Sequence, residues 1–184
     1  EGKHYYPSFP YTAYANMTDQ DITDLWVYFK SIPESSKPSI DHDLPMYLRW
    51  RRPLAFWKIL NKREPIIELV SLDTTLQRGA YLVETLGHCG ECHTSRNFIG
   101  GLQYEYWLGG AKNPAGRGMI PNITSSKLNW NTEEIVEYLA SGFTPDFDVA
   151  GGHMVHVIEN TSKLTEEDRV AIAEYLKAIP GVQK

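Results

Sequence analysis

Residues 88–95 read HCGECHTS, and Cys89 and Cys92 are the only cysteines in 184 residues. A chain of this length buries a core without cross-links. The pair is therefore open to four readings: a local disulfide, a redox dithiol, half of a zinc site, or the anchor of a covalently held haem. Redox dithiols favour a strand-to-helix setting with a low thiol pKa, whereas this motif follows a predicted helix and opens a loop. Structural zinc wants four protein ligands. There is no second cysteine pair, and His4, His42, His88, His153 and His156 show no tight ligand spacing. An iron–sulfur cluster lacks thiolates for the same reason. A small disulfide stays open but leaves His93 without a part. The haem reading uses every residue: two cysteines about one helical turn apart add across two vinyl groups, and the next imidazole ligates iron. CxxCH is the attachment signature of c-type haem.

An iron held on one side by His93 needs a second axial donor, and a methionine thioether raises its potential. The candidates are Met17, Met46, Met119 and Met154. Met154 lies in GGHMVHV, a Gly-rich approach able to loop back over a ring, just before the last predicted helix. Met119, in GRGMIPN, is the runner-up, followed by His153 and His156 as bis-histidine alternatives. Core packing competes for any lone methionine.

The net charge is −5, and no basic tract is long enough to hold a phosphate backbone, which argues against a general nucleic-acid binder. No stretch approaches the ~20 apolar residues that cross a bilayer. The opening EGKHYYPSFPY lacks the basic start and apolar run of a signal peptide, so the chain reads as processed or as a fragment.

Helices are predicted over 17–33 (Thr18 as N-cap), 54–60, 74–86 (ended by Gly87), 132–141 (Asn131 as N-cap with Glu134) and 166–178 (Thr165 as N-cap). Residues 34–72 form a connector broken by prolines, and 142–163 read as loop with one short turn. MTDQDITDLWVYFKSIP (17–33) echoes LTEEDRVAIAEYLKAIP (164–180), identical at six of 17 positions. Either two amphipathic helices share a common cap, or each is the last helix of a domain.

RGAYLVETLGHCGECHTSRNFIGG (78–101), IPNITSSKLNWNTEEIVEYLASG (120–142) and GGHMVHVIENTSKLTEEDRVAIAEYLKAIP (151–180) resemble a class I cytochrome c domain. More narrowly, they resemble domains in the multihaem cytochrome subunits of bacterial membrane-bound alcohol, gluconate and related dehydrogenases. The resemblance implies an all-α class I cytochrome c fold with an extended N-terminal arm. It implies Cys89 and Cys92 as thioether anchors and His93 and Met154 as iron ligands. Pro121 and Asn122 then lie beside the haem, the proline carbonyl accepting the bond from the ligand's free ring nitrogen. Gly79 and Tyr81 match first-helix positions that cross the last helix.

Residues 1–33 resemble the end of a preceding haem domain, with Phe9 where the pattern carries methionine, so they are expected to be a haem-less remnant. Residues 34–73 resemble an interdomain linker, expected to wrap the core through Trp50, Phe56 and Trp57. Residues 74–184 are the expected monohaem domain. The implied function is a periplasmic, non-enzymatic one-electron carrier of a respiratory chain with one covalent c-type haem. A dehydrogenase would be its donor and an oxidase or another cytochrome its acceptor, and the N-terminal arm offers a route to a homodimer. A haem-based small-ligand sensor, a peroxidase-like enzyme with a labile distal ligand, and a structural module of a larger complex are the alternatives.

Overall fold

The computed structural model describes residues 4–61, 73–114 and 116–183. It is mostly helical, with a single two-stranded ribbon among the described residues, as an all-α reading requires. The chain divides into two compact units, residues 1–64 and 65–184.

In the first unit, α1 (Tyr11–Tyr14) and α2 (Asp19–Ser31) are joined by a short turn, and a long, mostly irregular segment leads to α3 (Pro53–Leu60). Thr18 caps α2, its hydroxyl accepting from the Asp21 amide at 3.1 Å. The proline-broken connector folds back on the N-terminal arm. Tyr6 donates its hydroxyl to the Leu48 carbonyl (2.7 Å), Arg51 stacks over the Tyr6 ring, and Trp57 meets Tyr11 edge-on at 6.3 Å. Within this unit Trp57 is partly covered by Tyr11, while Trp50 and Phe56 are 65% and 64% exposed.

The second unit is built on α4 (Thr74–Ala80), α6 (Thr132–Ser141), α7 (Met154–Thr161) and α8 (Glu166–Ala178). Asp73 caps α4 through the Thr75 amide. A capping box of Asn131 and Glu134 starts α6, and Gly142 ends it at φ +81°. Asn131 and Thr165 are the caps the sequence predicts. α4 crosses α8 so closely that a Cβ on Gly79 would lie 2.0 Å from the Ala171 carbonyl oxygen. Only glycine permits that approach, which brings Leu82, Val83, Ile172, Tyr175 and Leu176 into one core with Ile135, Leu139 and Leu108.

α4 continues into a π-helical turn, Tyr81–Leu86, closed by the Gly87 amide on the Leu82 carbonyl (2.7 Å). The wider turn places four consecutive residues, Leu82 to Thr85, inside. Glu84 among them accepts a 2.5 Å bond from the Tyr175 hydroxyl, which itself accepts from Trp107 Nε1.

Residues 142–163 depart from the loop reading, because α7 occupies 154–161. Its entry carries no side-chain cap, so the sequence offers no start signal. Tertiary contacts hold it instead: Ile158 is buried, and Arg169 Nη1 donates to the carbonyls of Thr161, Ser162 and Leu164 at its C-terminal end. The echoed helices also part company. α8 buries five residues and α2 none, so a shared cap and period do not make a shared environment.

Candidate haem-attachment site

The CxxCH residues sit on one short helical turn, α5 (Gly90–His93), which Cys89 precedes. His88 turns the chain from the π turn into α5 with φ +39°, a left-handed geometry that His tolerates better than most residues. The His93 amide donates to the Cys89 carbonyl at 3.0 Å, which places the two cysteines and the histidine on a single turn. Gly90 is dictated by packing. A Cβ there would lie 2.0 Å from the Trp107 ring, so the ring seats directly on the turn between the two cysteines.

Behind the motif, Arg96 donates to the Glu91 carboxylate (2.5 Å) and to the Gly100 carbonyl (2.9 Å). Asn97 Oδ1 accepts from the Ile99 and Gly101 amides. The loop is thereby closed onto α5.

Both thiols are free, and their environment opposes thiolate chemistry. Burial pushes the Cys89 thiol up to about 11. Burial and the neighbouring Glu91 charge raise Cys92, only partly offset by Arg96. A redox dithiol or a zinc thiolate pair needs the reverse.

His93 Nδ1 lies 2.8 Å from the Pro121 carbonyl oxygen. A carbonyl only accepts, so Nδ1 carries the proton and Nε2 offers its lone pair. Burial lowers the His93 pKa and the Pro121 bond opposes that shift in part, so the ring is a neutral imidazole at neutral pH.

Pro121 is itself held in place. Asn122 donates Nδ2 to the Val182 carbonyl (2.8 Å) and accepts from the Thr124 amide and hydroxyl. The Val182 amide donates to Thr124 Oγ1 (3.0 Å), and Ser126 donates to the Val182 carbonyl (2.6 Å). The chain end beyond α8 thus latches the loop that carries the histidine's partner. Sequence reasoning reached Pro121 and Asn122 through resemblance but missed Thr124, Ser126 and Val182. The bonds at Val182 are made by its backbone, which no side-chain pattern announces.

Among the methionines, Met154 opens α7 and is half-buried against the core cluster, whereas Met119, on the β-ribbon, is 68% exposed. His153 and His156 are exposed, and His156 faces Glu159 at 3.1 Å. The segment carrying Met154 leaves Phe143, Phe147, Val149, Val155 and Val157 exposed. Two neutral thiols and an imidazole with a free Nε2 on one turn suit a covalently attached haem. They do not suit a hydrated cation, and no cluster of three or more metal-binding His, Cys, Asp or Glu occurs among the described residues.

Comparison with known proteins agrees with this chemistry. No protein-family model matches the chain. It is 50% identical over 183 residues to a "Diheme cytochrome c-type" protein of Cereibacter sphaeroides, covering 100% of this chain and 62% of that protein. It is 34% identical over 189 residues to the fructose dehydrogenase cytochrome subunit of Gluconobacter japonicus (98% of this chain, 38% of that subunit). It is 31% identical over 192 residues to the gluconate 2-dehydrogenase cytochrome c subunit of Pantoea cypripedii (97% and 43%). The chain spans less than two thirds of each relative. The similarity runs over nearly all of the 184 residues, the first unit included.

Proposed function

We propose that this chain, a homologue of diheme cytochrome c and of dehydrogenase cytochrome subunits, is a periplasmic one-electron carrier built on a single c-type haem. The observation that carries the reading is the Cys89–Cys92–His93 turn whose histidine is fixed by the Pro121 carbonyl. In this reading Cys89 and Cys92 would hold the haem through thioether sulfurs. Their neutral thiols leave no standing thiolate to oxidise or bind other metals. His93 presents Nε2, and the Pro121 bond fixes its tautomer and makes it a more basic ligand. Met154, at the start of α7, would supply the second donor to the iron. A bound c-type haem contributes a ferric/ferrous couple that takes up and releases one electron.

With His93 and Met154 both holding the group, the site would leave substrate no place at the metal, in keeping with a chain that carries electrons and is not itself an enzyme. Its partners are a dehydrogenase as donor and an oxidase or cytochrome as acceptor. Covalent attachment at CxxCH takes place after export, which supports the periplasm. Residues 74–184 form the haem domain, in a class I cytochrome c fold, and residues 1–33 are the haem-less end of a preceding one. One CxxCH in 184 residues gives one haem.

A pyridine haemochrome spectrum of the purified chain should show one covalent haem per polypeptide, with the weak far-red ferric band of His/Met ligation. Met154→Ala should abolish that band and open the reduced protein to carbon monoxide. Loss of the band in Met119→Ala instead would overturn the ligand assignment, and a chain without covalent porphyrin would overturn the function. Carbon monoxide binding by the unmodified reduced protein would favour the sensor reading.

A further inference from the structure

We propose that the aromatic and basic segment ending in α3 docks on an anionic lipid surface, with α3 lying in the plane of the interface. Residues 44–61 hold four of the chain's 18 Lys and Arg (Arg49, Arg51, Arg52 and Lys58) and no Asp or Glu, in a chain of net charge −5. Among the described residues, none of Arg49, Arg51, Arg52 and Lys58 pairs with a carboxylate.

α3 is also inverted relative to a helix bathed in water. Its inner side is anchored by Trp57 against Tyr11, by Lys58 over the Tyr11 ring (4.6 Å), and by the adjoining Asn61, which is buried and bonds back to the Trp57 carbonyl. Its outer side shows Phe56, Ile59 (73% exposed) and Leu60, and the turn before it adds Tyr47 and Trp50. Trp and Tyr beside Arg and Lys is the composition that settles at the headgroup boundary, the rings in the acyl margin and the cations on the phosphates.

The surface is pre-arranged. Arg51 is stacked at 4.7 Å from the Tyr6 ring centroid, Tyr6 is tied to Leu48, and Arg49 Nε donates to the Leu44 carbonyl (2.9 Å). Its cations therefore need little ordering on contact. No helix among the described residues is long and apolar enough to cross a membrane, and eight residues of α3 measure only about 12 Å, so the segment lies on the surface and does not span it. An acidic protein would satisfy the arginines but leaves the aromatic rim without a reason, which favours lipid.

The test is co-sedimentation of the full, haem-loaded chain with vesicles of phosphatidylcholine alone and of phosphatidylcholine mixed with phosphatidylglycerol. We expect binding at least roughly tenfold stronger to the anionic vesicles, weakening as salt rises. The double variant Phe56→Ser/Ile59→Ser and the single variant Arg52→Glu replace outward side chains and should each lose most of it with unchanged circular dichroism. No preference for anionic vesicles, a preference indifferent to all three substitutions, or capture by an acidic protein without lipid binding would overturn the proposal.

Discussion

Gly79→Ala separates local from tertiary reasoning, because the two disagree in sign. Alanine is favoured over glycine within a helix by about 1 kcal/mol, so α4 by itself should gain. In the folded chain the new Cβ would sit 2.0 Å from the Ala171 carbonyl oxygen and 2.8 Å from the Tyr175 Cβ. The first obstacle is backbone, which no rotamer clears, so α4 and α8 must part by roughly 1 Å to restore contact distance. Overpacking of this kind costs about 1–3 kcal/mol and sometimes more. Because the helices cannot part without loosening Ile172, Tyr175 and Leu176, we place the net loss near 2 kcal/mol. That corresponds to a fall of about 4–8 °C in Tm for a chain of this size. Urea unfolding of the haem-loaded chain, with the m-value unchanged, measures it. A variant as stable as the parent, or more stable, would refute the claim that the crossing demands a bare Cα.

Gly90→Ala should lower the yield of covalently loaded chain, because its Cβ enters the Trp107 ring; adding Trp107→Leu should recover part of the loss, as read by haem absorbance per polypeptide. Thr124→Val removes the acceptor for the Val182 amide and the donor to Asn122. Stability should fall by about 1–3 kcal/mol, and the reduction potential should rise as the Pro121–His93 bond loosens and the ligand becomes less basic; an unmoved potential would detach the latch from the histidine. Arg78 grips Asp168 at 2.7 and 2.8 Å and holds its carboxyl below the usual range. Because Arg78 is about half exposed, Asp168→Asn should cost no more than about 1 kcal/mol at pH 7. The depressed pKa makes this stability complete above the unfolded value of about 3.9 and lost as pH falls through the folded one, so denaturation curves of the two proteins should converge in acid.

Much of the chain is legible in its sequence. The caps Thr18, Asn131 and Thr165 read correctly because a capping hydroxyl or amide meets a partner three residues on, a distance any helix start repeats. Cys89, Cys92 and His93 read together because one helical turn brings them together whatever surrounds it. By contrast α7 escaped notice because its start carries no cap, and it is held by Arg169 from another helix. The π turn also lay beyond prediction: its wide register puts Glu84 under the Tyr175 hydroxyl, a contact 91 residues apart.

The sequence alone determined the caps that start α2, α6 and α8 and the gathering of Cys89, Cys92 and His93 on one turn, since both rest on residues within a few positions of one another. Tertiary structure decided which faces are covered. α2 and α8 share a cap and a period, yet only α8 is buried, because burial needs a second surface, and that surface is supplied by residues far away along the chain.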